Sequence, residues 1–195
     1  MNHIIIKNIN DYQDKDFTNY YSIIKPIKKD KIDKLKYDKD KKLSILGEIL
    51  LIDTLKKHYK INYQDINILY NKNGKPYIEN SNIYYNISHS YDYVTLIVSN
   101  RKCGIDIEKI REINPNIIKT FATIKEQNYI LDNPNRLFEI YCLKEAYIKM
   151  QGLKLSNIQN IEFTITNKKI ICSDNTIKSK LIYHQDYLIA ICEKI

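Results

Sequence analysis

Apolar residues recur at helical spacing between residues 42 and 59. Leu43, Leu46, Ile49, Leu50 and Leu55 share one face of a predicted helix there. Gly47 lies inside it, which is unfavourable unless another element packs close. Upstream, residues 28–42 are lysine-dense and weakly amphipathic, and residues 4–6 predict a short strand. Downstream the period changes. Residues 66–100 read as strands and turns, with Asn73-Gly74-Lys75-Pro76 as a turn signal and a β-rich run at 93–98. A turn at 99–103 leads into a second strand at 104–108. Two helices are predicted at 115–132 and 136–151, parted by Asn133-Pro134-Asn135. Residues 161–193 read as three strands.

One similarity links the two halves. His89-Ser90-Tyr91-Asp92-Tyr93 precedes an apolar strand, and so does His184-Gln185-Asp186-Tyr187. Either two ordinary hairpins or two related α+β lobes would produce it. The 195 residues suit one large domain or two small lobes. We expect an N-terminal lobe at 1–100 and a C-terminal lobe at 101–195, forming one compact unit.

Composition narrows the class. Apolar residues make up 44% of the chain, which argues against wholesale disorder. Lys plus Arg is 31 and Asp plus Glu is 23, a net charge of +8. Such a surface favours an acidic partner: nucleic acid, anionic membrane, a phosphorylated ligand or an acidic protein. Cys103, Cys142, Cys172 and Cys192 make no C-x-x-C pair and have no zinc spacing to His, so buried, reduced thiols are expected. The first seven residues are too short and too soon charged for a signal peptide, and no apolar run approaches the ~20 residues of a membrane span. A cytoplasmic location is expected.

Several segments carry candidate chemistry, each beside a plainer reading. In Gly104-Ile105-Asp106-Ile107-Glu108, alternation puts Ile105 and Ile107 on one strand face and Asp106 and Glu108 on the other. Adjacent carboxylates repel unless a cation relieves them, and Mg²⁺ takes one or two carboxylates plus phosphate oxygens. The plainer reading is a solvated strand face. Tyr141, Glu145 and Lys149 line one helix face at i, i+4 and i+8. They supply either a third metal carboxylate with a phosphate-facing lysine, or an exposed ion pair. Ser88 and His89 suit phosphate contacts or a simple turn. Thr123-x-x-Glu126 is a helix capping box, and Glu126 is also a candidate base. Gly74-Lys75-Pro76 alone is a turn, and the cluster Lys28, Lys29, Lys31, Lys34 and Lys42 alone is a solvated face.

In that order, from Gly74-Lys75-Pro76 through Asn86-Ile87-Ser88-His89-Ser90, Gly104 to Glu108, Phe121 to Glu126, and Lys144-Glu145-Ala146 with Lys149, the chain resembles a 4′-phosphopantetheinyl transferase. It is similar to the longer, two-lobed type, over about residues 20 to 192. The resemblance implies an α+β fold of two similar lobes related by a pseudo-twofold axis, with the site between them. It implies transfer of the phosphopantetheine arm of coenzyme A to a serine of an apo carrier protein, releasing 3′,5′-ADP. Asp106, Glu108 and Glu145 match metal ligands for Mg²⁺, with Mn²⁺ as a substitute. Ser88, His89 and Lys149 match coenzyme A phosphate contacts. Gly74, Lys75 and Pro76 match the turn beside the adenine, and Lys28 and Lys31 match basic residues near the 3′-phosphate. Glu145 or Glu126 is the implied base, with Lys149 and His89 stabilising charge. Departures exist. Tyr141 stands where the family usually has Trp, Ala122 where it often has a bulkier or polar residue, and no basic residue directly precedes Gly47, so Lys42 is the substitute contact.

The implied partner is an acidic acyl or peptidyl carrier protein, met by a monomer, with neither nucleic acid nor membrane involved. The competing readings are a basic, non-enzymatic RNA-binding protein, which seventeen Tyr and the lysine runs allow, and a coenzyme A-binding paralogue without turnover.

Overall fold

The computed structural model describes residues 2–167 and 169–195. It opens with strand β1 (His3–Asn8) and helices α1 (Asp14–Ile23), α2 (Pro26–Asp33) and α3 (Asp38–Thr54). A hairpin of β2 (Ile68–Tyr70) and β3 (Pro76–Ile78) follows, then a second of β4 (Tyr84–Ser90) and β5 (Tyr93–Ser99). The order then recurs. Strand β6 (Cys103–Lys109) leads to helices α4 (Ile118–Phe121), α5 (Ile124–Leu131) and α6 (Arg136–Gln151). After them come hairpins β7 (Phe163–Thr166) with β8 (Lys169–Cys172), and β9 (Ile177–His184) with β10 (Tyr187–Lys194).

Each half folds the same way. The sheets run β1-β5-β4 and β6-β10-β9, all antiparallel, each covered by its long helix. The likeness reaches single bonds: Ile9 N–H donates to Asp92 O at 2.8 Å, and Ile110 N–H to Asp186 O at 2.7 Å. Tyr91 and Gln185, at the two equivalent hairpin turns, both take positive φ, 53° and 54°. The similarity between 89–98 and 184–192 is therefore one hairpin used twice. Register aligns the repeats: Ile5 and Lys7 face Leu96 and Val94, as Asp106 and Glu108 face Ala190 and Leu188. The chemistry of β6 thus has no counterpart on β1.

The helical periodicity has a direct cause. Leu43, Leu46, Ile49, Leu50 and Leu55 are all buried in the first core. A Cβ on Gly47 would stand 2.9 Å from Ile87 Cγ2, so the glycine lets α3 lie close on the sheet. Two expectations change. The helix at 115–132 is broken at Ala122, whose extended φ and ψ precede a new helix capped by Thr123. Among the described residues the tail holds four strands, because Asn167 turns left-handed (φ 51°) and β8 pairs back antiparallel on β7.

Between the repeats, β4 and β6 run alongside in the same direction without a backbone ladder. Side chains replace it. Ile105 N–H donates to Asn86 Oδ1 at 2.8 Å, and Lys109 N–H to Ser90 Oγ at 3.2 Å. These contacts satisfy strand amides that would otherwise be orphaned in the interior. The candidate site lies along this seam.

Candidate active site between the repeats

Asp106 stands at the centre and is only 3% exposed. Its Oδ1 accepts from Ser88 Oγ at 2.9 Å and from Lys149 Nζ at 2.6 Å. The ammonium also donates to Ser88 Oγ at 2.9 Å, closing a triangle across β4, β6 and α6. Asp106 Oδ2 is buried and has no hydrogen-bond partner. One face of β6 carries Ile105 and Ile107 into the core while the other turns its carboxylates to the seam, as alternation predicts.

Gly104 explains the short distance between β6 and α6. A Cβ there would sit 2.0 Å from Ala146 O and 2.4 Å from Met150 N, so strand and helix meet backbone to backbone. That contact lets Lys149 reach Asp106. Two turns earlier on the helix, Tyr141 Oη donates to Glu145 Oε1 at 3.0 Å. Tyr141, Glu145 and Lys149 do share a face, but half-buried: Glu145 is bonded to Tyr141 and Lys149 to Asp106, in place of an exposed Glu145–Lys149 pair.

The electrostatics follow from crowding. Burial, then the Asp106 charge, pushes Glu108 up to about 7, against the Ser90 hydroxyl that donates to its Oε2 at 3.1 Å. Burial also raises Glu145, with Lys149 opposing and Asp106 adding. For Lys149, burial works against the charge, but Asp106 and then Glu145 outweigh it and raise its pKa. His89 keeps an open surface on β4, yet its crowded surroundings and then Lys149 lower its pKa.

Among the described residues, no three His, Cys, Asp or Glu side chains converge as a ready metal site. The donor set nevertheless fits a hard divalent cation. It is all oxygen, it includes the partnerless Asp106 Oδ2, and its second carboxylate is held up by burial and then by the Asp106 charge, a repulsion that a cation would relieve.

The remaining expected residues divide. Lys28 pairs with buried Glu48 at 3.4 Å, and its charge acts on His89, so it faces the same region. Lys31 lies over the Tyr70 ring, 3.1 Å from its centroid, and burial followed by Lys28 lowers its pKa. Lys42 is elsewhere, 2.5 Å from Asp14 on α1. Glu126 is sealed in the second core: its carboxylate pairs with Lys144 at 2.6 Å, both side chains fully buried, and accepts from Thr123 N and Phe163 N at 2.7 and 2.8 Å. The structure does not bring it into the seam. Gly74 (φ 85°) turns the β2–β3 hairpin toward α6, with Pro76 opening β3. Lys75 Nζ points inward, and burial lowers its pKa to about 8. Beside Glu108 and Tyr141 lies a cavity of about 460 Å³, floored by Phe121, Leu137 and Phe138 and edged by Arg111.

Three groups went unassigned from sequence: Asn86 and Ser90, which bridge the seam, and Glu48, which anchors Lys28 and accepts from Tyr63 Oη at 2.8 Å. Polar residues at 86, 88 and 90 in a strand, and one acid in the run Leu46-Gly47-Glu48-Ile49-Leu50, were the available signals.

Known proteins match throughout. Residues 11–101 match the family model "4'-phosphopantetheinyl transferase, N-terminal", and residues 102–192 match "4'-phosphopantetheinyl transferase superfamily". The chain is 37% identical over 121 residues to 4'-phosphopantetheinyl transferase gsp of Aneurinibacillus migulanus, covering 58% of this chain and 50% of that protein. It is 29% identical over 143 residues to 4'-phosphopantetheinyl transferase Sfp of Bacillus subtilis (strain 168), covering 70% and 64%. The matches thus span between 50% and 64% of those relatives' own lengths. A solved holo-acyl-carrier-protein synthase of Thermotoga maritima is a loose, partial likeness, at a TM-score of 0.42 and 20% identity over 48% of this chain and 62% of its own.

Proposed function

Because the chain belongs to the 4′-phosphopantetheinyl transferase superfamily, we propose that it moves the 4′-phosphopantetheine arm of coenzyme A onto a serine of an apo carrier protein. The observation that carries this reading is Asp106, buried between a hydroxyl and an ammonium with one oxygen left bare. Such a carboxylate suits a polyanionic substrate brought in with a cation.

The serine hydroxyl attacks the β-phosphorus of the coenzyme A pyrophosphate. A new O–P bond forms, the P–O bond to 3′,5′-ADP breaks, and the serine proton passes to a base. This chemistry needs alignment and charge neutralisation more than covalent help. A divalent cation, Mg²⁺ or Mn²⁺, would be held by Asp106, Glu108 and Glu145 and would neutralise the pyrophosphate charge when bound.

The chain's own groups do the rest. Lys149 and His89 face the phosphates and stabilise charge as it develops. Ser88 orients Lys149 and Asp106 through its bonds to both. Lys28 and Lys31 take the 3′-phosphate, and the turn at Gly74, Lys75 and Pro76 flanks the base. Glu145, beside Asp106 and Lys149, receives the serine proton, directly or through water. Glu126 has no part in this scheme, because it is sealed in the second core against Lys144, and Lys42 is left out because it lies beside Asp14 of α1. The apolar cavity beside Glu108 suits the uncharged stretch of the arm.

The net charge of +8 favours an acidic carrier, steered to the cleft. Both lobes, 1–100 and 101–195, lie in one chain, so a monomer completes the cleft. No helix among the described residues is long and apolar enough to cross a membrane, and a cytoplasmic enzyme fits the carriers it would serve. The test is intact mass of apo carriers incubated with protein, coenzyme A and Mg²⁺. A gain of one phosphopantetheine arm is expected, lost in Asp106→Ala with the fold retained. No gain on fatty-acid, polyketide or peptide carriers would sink the proposal.

A further inference from the structure

Helix α6 carries Glu145 and Lys149, and β6 carries Asp106 and Glu108. Their relative position along the seam decides whether Lys149 meets Asp106. The two elements touch at Gly104, where strand and helix backbones face each other with no side chain between. At Gly104 no strand side chain interlocks with the helix, so this contact fixes separation rather than register. Register needs a further contact.

The hairpin turn of the first repeat supplies it. Lys75 Nζ donates to Met150 O at 2.8 Å, in the last turn of α6, and to Cys103 O at 3.2 Å, the first residue of β6. These residues flank the Gly104 contact and lie one and three positions from Lys149 and Asp106. The last carbonyls of a helix have no partner within it, and a cation there also suits the helix dipole. Gly152 (φ 66°) ends α6, and its carbonyl accepts from Asn73 Nδ2 at 2.8 Å and Asn71 Nδ2 at 3.2 Å. Asn71 Oδ1 in turn accepts from Asn73 N and Lys75 N, both at 2.9 Å, which shapes the turn for this grip.

We infer that Lys75 is a positioning residue: from the first repeat, its ammonium clamps the start of β6 to the end of α6 and so holds Asp106 and Lys149 in register. This differs from a side-chain contact with the nucleotide, for which the ammonium would have to face the cleft. It rests on the proposed transfer only where turnover is measured.

The test uses Lys75→Met, which keeps an apolar stem and removes the cation. Steady-state transfer to an apo carrier gives kcat and the KM for coenzyme A. Amide hydrogen exchange of the substrate-free protein reports on residues 148–153. Misplacing a reacting group by about 1 Å costs up to about a hundredfold, so the expected loss in kcat is about tenfold. KM for coenzyme A should stay within about twofold, because the ammonium removed faces Met150 O and Cys103 O while the backbone of the turn that flanks the adenine remains. Exchange at 148–153 should quicken, and Lys75→Arg should recover most of both effects. A raised KM with unchanged kcat would assign the ammonium to the nucleotide instead. Unchanged exchange would also overturn the clamp. If Lys75→Met does not fold, Lys75→Gln, which removes the charge and keeps a polar donor in place of the ammonium, decides in the same terms with a smaller kcat loss. If the wild type modifies no carrier, the transfer reading fails, and exchange alone judges the clamp.

Discussion

Glu108 shows how much one side chain depends on its neighbours. Burial and the adjacent Asp106 hold its carboxyl up to about 7. A carboxyl raised in the folded state costs stability fully above that value, and the cost fades as pH falls toward the ordinary carboxyl range. Glu108→Gln in protein stripped of divalent ions should therefore raise stability by about 1–3 kcal/mol at pH 8. The gain should vanish near pH 4.5, with urea titration at the two pH values as the check; equal gains at both would rule out the ionisation. Some of this was readable in advance. Alternation in 104–108 is enough to place Asp106 and Glu108 on one face. That Lys149 and Ser88 share Asp106 Oδ1 was not readable as geometry, because the three residues come from three elements brought together only by folding.

Elements behave less like their local patterns than residues do. The stretch 115–132 has helical composition, yet Thr123 restarts the chain at Ala122. The capping box was legible; the break was not, since it depends on Glu126 being pulled inward by Lys144, 18 positions away. That pair sets an expectation for the join of α5 to α6. Glu126→Gln leaves a buried ammonium without its counter-charge and should cost about 3–5 kcal/mol in urea unfolding. Adding Lys144→Met should recover much of the loss, since no buried ammonium is then left without a counter-charge. No recovery would mean that Glu126's bonds to Thr123 N and Phe163 N, rather than charge pairing, hold this join. The contact of β6 with α6 is stricter. Gly104→Ala would drive a methyl into Ala146 O and Met150, costing about 3 kcal/mol or more in thermal unfolding, with activity falling further than the folded fraction. Full activity in that variant would show that the separation of β6 from α6 is not set here.

At the scale of the whole molecule, two copies of one topology enclose a single candidate seam. The duplicated hairpin could be glimpsed in His-to-Asp-Tyr matches, whereas the equivalence of Ile5 with Asp106 and Lys7 with Glu108 needed strand register. The net charge of +8 belongs to this scale as well. Raising ionic strength shortens the Debye length from about 10 Å at 0.1 M to about 3 Å at 1 M. The KM for an acidic carrier should then climb several-fold while kcat changes little, as read from steady-state transfer. A KM indifferent to salt would mean that steering plays no part. One last property concerns the seam of β4 and β6. Strands joined by a ladder are locked at about 4.8 Å, so sequence change cannot easily alter their spacing. Here Asn86, Ser88 and Ser90 span the gap instead. The width of the mouth is thereby written in side chains, a dimension that single substitutions can retune while both sheets stay as they are.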